Sequence, residues 1–222
     1  MAVARDTSGQ ATSTGTTTTL GLTLGASATL LLAAALIREG TDRVTGVTWN
    51  GEAMTELPTN SPATFTRLGS TFTIHLYYTL SPATGTHDLV ATASSNPGGN
   101  DLDLYGVSYT GPSTSAFPDN STKVDNDATS PLTTTLTPVG AGAWTFMFGS
   151  NEADALAAST GSTLIQNQHG SGIFDSNGIV AGSYSMNATY GGSSGSAGIM
   201  VSFAPDAVAP ANNNNLLTLG VG

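Results

Sequence analysis

The chain has no cysteine, so neither disulfides nor thiolate-bound zinc can hold it together. Stability must come from a core, hydrogen bonds and contacts between subunits. Positive charge is almost as scarce: five Lys and Arg stand against fifteen Asp and Glu, a formal net charge of -10. Binding to a phosphate backbone needs clustered cations, so this balance argues against nucleic acid as a partner. Charged residues of both signs make up only 9% of the chain, against roughly 25% in an average soluble domain. The polar surface must therefore be built from Thr, Ser, Asn and Gly. Long apolar runs are missing too. Leu22 to Ile37, LTLGASATLLLAAALI, is too short and too polar in its first half to match the roughly 20 apolar residues of a bilayer span. The opening MAVARDTSGQATSTGTTTT lacks the apolar centre of a secretory signal, and no membrane partner is expected.

What is present is β-pattern. Val44 to Leu57, VTGVTWNGEAMTEL, reads as a hairpin: Val44, Gly46 and Thr48 alternate with Thr45, Val47 and Trp49, and Asn50-Gly51 tolerates the positive φ of a type I′ turn. Leu20, Leu22 and Leu24 alternate with Thr19, Gly21 and Thr23 in an earlier strand. Leu30 to Ile37 is ambiguous by periodicity, since Leu and Ala favour helix, but its length and neighbours favour a central strand. Further strands are expected at Ser70 to Leu80, His87 to Ala93, Leu102 to Tyr109, Leu132 to Pro138, Ala143 to Phe148, Thr163 to Gln168, Ile173 to Val180, Ser183 to Tyr190 and Gly198 to Ala204. Pro58 to Ser70 and Ser113 to Ser130 read as long loops, Ser176-Asn177-Gly178 as a hairpin turn, and Glu152 to Ala158 as a short helix.

About ten strands with regular turn signals imply an all-β, antiparallel β-sandwich of jelly-roll type with extended N- and C-terminal arms. Residues 1–16 form the N-terminal arm, 17–204 the sandwich domain, and 205–222 a linker and an apolar C-terminal strand. Leu216, Leu217, Leu219 and Val221 of that tail are a disordered end or an extra strand of the chain's own sandwich, or they add a strand to a neighbour's sheet, in which case they are assembly residues of a homo-oligomer.

The run LLLAAALI, then VTGVTWNGEAMT, then Leu76 to Ser95, then YGVSYTG from Tyr105 to Gly111, and the closing GIMVSFAP together resemble β-sandwich modules of phage virion and bacterial surface proteins, of decoration or fibre type. The resemblance covers roughly half of the chain. It implies a structural or adhesive module with no catalytic residues to carry over.

The chemistry-bearing motifs are few. Gly191 to Gly195 fits the letter pattern of a hydrolase nucleophile elbow, but that elbow needs a strand before it and a helix after it. His75, His87 and His169 have no metal-binding helical spacing and read as surface residues; Glu52 and Glu56 read as polar hairpin residues. Asp101 and Asp103, and Asp125 and Asp127, offer loop oxygens of the kind a structural Ca²⁺ takes, although Asp and Asn are also ordinary turn residues. No other cofactor is expected. Trp49 and Trp144 read as core, while Tyr77, Tyr105, Tyr109, Tyr184 and Tyr190 are candidates for a carbohydrate-binding face. The sequons at Asn120 and Asn187 are incidental without an export signal. These readings converge on a non-enzymatic virion building block, a capsid decoration, head-fibre or tail component that assembles through its N-terminal arm and its apolar tail, with capsid or tail proteins and its own copies as partners. The alternatives are a glycan-binding host-recognition module and an extracellular or cell-surface subunit that polymerises by strand exchange.

Overall fold

A computed structural model describes residues 1–38, 41–97, 101–127, 130–151, 155–191 and 195–206. In chain order its strands are β1 (Ala4–Ser13), β2 (Thr17–Leu24), β3 (Ala28–Ile37), β4 (Val44–Trp49), β5 (Glu52–Ala53), β6 (Thr55–Glu56), β7 (Ala63–Arg67), β8 (Ser70–Leu80) and β9 (Gly85–Ala93). They continue as β10 (Leu102–Thr110), β11 (Asn120–Asp127), β12 (Leu132–Leu136), β13 (Trp144–Ser150), β14 (Ala157–Ala158), β15 (Thr163–Gln168), β16 (Ser171–Asp175), β17 (Tyr184–Thr189) and β18 (Ser196–Phe203). The all-β expectation holds, but with eighteen strands among the described residues rather than about ten. No helix among them is long and apolar enough to cross a membrane.

The strands form four antiparallel sheets. The first runs β1-β10-β3-β8, with β6 and β7 sharing the outer edge of β8; the second runs β2-β9-β4-β5. The third runs β11-β18-β13-β16-β15 and the fourth β12-β17-β14. Side-chain alternation stacks them in the order second, first, third, fourth. Along β3, Leu31, Ala33, Ala35 and Ile37 meet the second sheet, whereas Leu30, Leu32, Ala34 and Leu36 meet the third. Along β13, Phe146 and Phe148 meet the first sheet and Met147 meets the fourth. Three apolar layers result, and the two inner sheets are covered on both faces, which is why LLLAAALI and WTFMFGS show no polar alternation.

The two halves of the chain repeat one plan. Replacing β1, β10, β3, β8 and β7 by β11, β18, β13, β16 and β15 converts the first sheet into the third, and replacing β2, β9 and β4 by β12, β17 and β14 converts the second into the fourth. The register agrees: Val107 faces Leu32 as Val201 faces Phe146. A polar latch repeats as well. Asp6 accepts hydrogen bonds from Gly25 N (2.9 Å) and Ser108 Oγ (2.8 Å), and Asp119 accepts them from Gly140 N (2.7 Å) and Ser202 Oγ (2.8 Å). Both glycines are required by the close approach, since a Cβ at Gly25 or Gly140 would lie 2.7 or 3.0 Å from the carboxylate oxygen.

The halves meet as two copies meet across a two-fold axis, each equivalent touching its counterpart. The rings of Tyr109 and Phe203, which follow Val107-Ser108 and Val201-Ser202, lie 4.7 Å apart, and Pro112 bridges Pro205. β1 packs beside β15, and β11 beside β7.

Several local expectations change. Ala4–Ser13, expected within an arm, is β1, paired along β10. Pro58 to Ser70 contains β7, a five-residue strand in which buried Ala63 and Phe65 alternate with Thr64 and Thr66, too short a pattern to stand out from the loop around it; Ser113 to Ser130 contains β11, a polar strand at a sheet edge with partial exposure. Of the expected helix at Glu152 to Ala158, residues 152–154 lie outside the described residues and Ala157–Ala158 pairs with β17 instead. Asn177 has φ 46°, but β16 and β17 belong to different sheets, so Ser176 to Gly178 is a turn and not a hairpin. The Asn50-Gly51 turn is as expected, with φ of 52° and 80°, but the hairpin expected to run to Leu57 ends at Ala53, and Thr55–Glu56 pairs with β8 of the first sheet instead. The residues Leu216, Leu217, Leu219 and Val221 lie outside the described residues, as does 192–194 of the Gly191 to Gly195 run.

Candidate functional sites

Three polar constellations stand out against the apolar layers. The first joins the two halves. Asp101 and Asp103 lie at the start of β10, where the chain enters the central sheet, and His169 lies in the tight β15–β16 turn with φ 50°. His169 Nδ1 is 3.5 Å from Asp101 Oδ2 and 3.3 Å from Asp103 Oδ1, with the Gln168 amide nitrogen also 3.3 Å away. Arg38, at the end of β3, holds Asp101 Oδ2 from its Nη1 at 3.1 Å. Asp103 faces the seam and is 1% exposed; burial pushes its carboxyl upward, with Thr12, His169 and Arg38 pulling the other way. Its Oδ2 is enclosed and has no hydrogen-bond partner among the described residues.

The second lies on the first half alone. His75 on β8 was expected at the surface and is instead 5% exposed, because the face of β8 that carries it is covered. Its Nδ1 is 2.8 Å from Glu56 Oε1 and its Nε2 3.0 Å from Asp42 Oδ1. Burial alone would lower the His75 pKa, but the hydrogen bonds and charges of Asp42 and Glu56 outweigh it and raise the value above 6.5. Ser61 donates to Glu56 Oε1 at 2.6 Å, not to the imidazole, so this is an ion-pair network and not the Ser–His relay of a hydrolase.

The third is an open groove of about 640 Å³ over the bulge in β1, lined by Arg5, Asp6, Thr7, Ser8, Trp144 and Asn177. Beneath it Arg5 Nε lies 3.0 Å from Asp175 Oδ2, and Tyr109 donates to the same oxygen at 3.2 Å. Asp175 is fully buried, and burial raises its pKa against the opposing pull of Arg5.

Of the four aspartates singled out as calcium ligands, Asp101 and Asp103 come together, with His169 as a third donor that sequence reasoning placed at the surface. Asp125 and Asp127 sit elsewhere, on β11. Asp125 Oδ1 accepts the backbone N–H of Thr64 and its Oδ2 pairs with Lys123 at 2.9 Å, so this carboxylate caps the open edge of β7. Among the described residues, Asp101, Asp103 and His169 are the one group close enough to share an ion. The signal for His169 was its place before Gly170 between two strands, a second positive-φ turn like Asn50-Gly51.

Both tryptophans are core, with Trp49 3% and Trp144 9% exposed. Tyr77, Tyr105, Tyr109 and Tyr190 are buried as well, which removes them as exposed stacking platforms; Tyr184 alone of the five is half-buried. The cause is again the four-layer stack, which covers faces that a two-sheet sandwich would leave in solvent.

No protein-family model, curated protein or solved structure matches this chain. The resemblance to phage and bacterial surface modules therefore rests on the quoted strand and turn residues alone.

Proposed function

We propose that this chain is a non-enzymatic building block of a phage virion, a capsid-decoration, head-fibre or tail component, in which two jelly rolls are fused back to back. The orders β1-β10-β3-β8 and β2-β9-β4-β5, each sheet alternating distant parts of the chain, support the jelly-roll reading of the first half, and the repeated plan extends it to the second. Capsid or tail proteins and further copies of the chain are the partners.

One observation carries the assembly reading. The described chain ends at Asp206 in the wall of a cleft of about 270 Å³, beside Gly140 and Ala204. Gly140 also lines an adjoining apolar cleft of about 320 Å³, flanked by Val139 and Ile179, which are 80% and 71% exposed. They project from the β12–β13 and β16–β17 loops into one cleft, and adjoining exposed apolar side chains of this kind suit a contact site. The apolar residues Leu216, Leu217, Leu219 and Val221 come after Asp206 and the nine residues that follow it, the Pro- and Asn-containing stretch 207–215 of the sequence. With Ala4–Ser13 built into the sheet, the C-terminal tail is the assembly element and the N-terminal segment is not.

Light scattering behind size exclusion tests this on three full-length chains: the wild type, Leu216→Ser with Leu217→Ser and Leu219→Ser, and Val139→Ser with Ile179→Ser. The wild type should form oligomers and both variants monomers. A monomeric wild type across the concentration range would end the reading.

The β1 groove favours a second function, glycan binding, because Arg5, Asp6, Thr7 and Asn177 offer sugar hydroxyls several donors and acceptors over a Trp144 edge. A glycan array on the wild type, repeated with Asn177→Ala, decides it: binding lost in the variant supports the groove, and no binding by the wild type rejects it.

A further inference from the structure

We propose that Asp101, Asp103 and His169 form a divalent transition-metal site that joins the two halves of the chain. The three ligand atoms lie within 4.8 Å of one another: Asp101 just before β10 and Asp103 on it, from the first half, and His169 from the β15–β16 turn of the second. The contacts of His169 Nδ1 with the two carboxylates, 3.3 and 3.5 Å, are long for N–H···O hydrogen bonds, which cluster near about 2.9 Å. They match donors around a metal: ligands bound at about 2.1 Å in tetrahedral array stand roughly 3.4 Å apart.

The independent sign is Asp103. This side chain is 1% exposed and faces the seam; Thr12 and His169 bond its carboxylate, but its Oδ2 has no hydrogen-bond partner among the described residues. A buried carboxylate oxygen left unsatisfied is costly, and a bound cation removes that cost. Arg38 Nη1 holds the same Asp101 Oδ2 at 3.1 Å, which fixes the position of the carboxylate oxygen that faces His169.

The other end of the pseudo-two-fold seam sharpens the assignment. Counting four residues back from Val107 and Val201, Asp103 corresponds to Ala197, a buried apolar residue of the central core. The repeat thus carries ligands at one end and plain packing at the other, so the polar cluster is not a requirement of the fold.

The imidazole donor selects the ion. Ca²⁺ takes six to eight oxygen ligands, whereas nitrogen with two carboxylates suits Zn²⁺, Mn²⁺ or Co²⁺. His169 is exposed, so the remaining position or positions belong to water and the site fills from solvent.

Untagged, chelator-treated full-length chain is titrated calorimetrically with Zn²⁺ and with Ca²⁺, and Co²⁺ is followed by its visible d–d absorption. The expected result is one Zn²⁺ per chain, a raised melting temperature reversed by chelator, and intense Co²⁺ bands of a low-coordinate site. Ca²⁺ at the same concentrations should give none of these. His169→Gly removes the ligand while suiting the positive φ, and should weaken Zn²⁺ binding by about 100-fold; Asp103→Asn should do the same. His87→Ala should bind as the wild type does. The proposal is overturned if the wild type takes up no stoichiometric Zn²⁺ or Co²⁺, if His169→Gly binds normally, or if His87→Ala abolishes binding.

Discussion

The facing pair Ala33 and Gly106 at the centre of the first sheet has its counterpart in Met147 and Met200 of the third. In the first half, the central sheet offers almost no side chain here, and the outer sheet fills the space: a Cβ at Gly106 would lie 2.7 Å from Leu22 Cδ1 and 2.8 Å from Leu89 Cδ2. In the second half the order is inverted. Methionines project outward from the central sheet and meet Leu132, Leu136 and Met186 of the outer one. Two sandwiches with one topology thus distribute the same filling between opposite layers. A core demands total volume at crystal-like density, and it does not specify which strand supplies it. Repetition of the plan with so little repetition of residues follows from that freedom.

The largest test of this contrast is Gly106→Val. The added methyls meet two leucine termini in a packed layer, and the expected loss is about 1–3 kcal/mol. Met200→Leu, at the equivalent place in the third sheet, conserves volume in a layer of flexible methionines and should cost less than about 1.5 kcal/mol. Denaturant titration of the two variants ranks them; the reverse ranking would contradict the proposed difference between the cores.

A second contrast is electrostatic. By the register of β8 and β16, His75 corresponds to Gly172, so only the first half carries a buried imidazole there. Because the folded His75 pKa lies above the unfolded 6.5, its stabilising contribution is complete below that pH and is lost as pH rises through the folded value. Asp42 is shifted the other way: burial raises it, but His75 outweighs that and leaves it below 3.8, so its contribution is present above 3.8 and is lost as pH falls through its folded value. His75→Gln should therefore cost about 2 kcal/mol below pH 6.5, and the melting-temperature gap to wild type should narrow as pH rises above that value. A gap that widens with pH would reverse the assignment.

The smallest test concerns what the halves share. Asp6→Asn and Asp119→Asn each weaken one copy of the latch to Gly25 and Ser108, or to Gly140 and Ser202. Each should lose about 1 kcal/mol by thermal unfolding. Unequal losses would show that the two latches, alike in geometry, carry different loads.

Much of the first half was legible in the sequence because its edges declare themselves. Asn50-Gly51 marked the turn, and the polar and apolar alternation of Leu20, Leu22 and Leu24 marked a strand with one wet face. The second half was harder. Its β15 and β16 join through His169-Gly170, a turn without the usual Asn, and β11 is a polar edge strand whose sequence is that of a loop. The duplication escaped as well. Its traces are Val-Ser-aromatic at 107–109 and 201–203, and an aspartate held by a glycine more than a dozen residues later in each half. Such short signals gain meaning only once the strand orders can be compared.

The candidate sites divide along the same line. Asp101 and Asp103 were visible as neighbours because they are two residues apart, but their partner His169 is 66 residues from Asp103. His75 was read as a surface residue because alternation along β8 distinguishes two faces without saying what covers them. The sequence by itself determined the all-β class, the central strands and the tight Asn50-Gly51 turn, all of which depend on residues within one strand or hairpin. Only the tertiary structure decided that there are four layers instead of two, that the halves repeat, and that His75 and Asp103 are buried. Those depend on which sheet covers which face, a matter of contacts between residues far apart in the chain that no local period encodes.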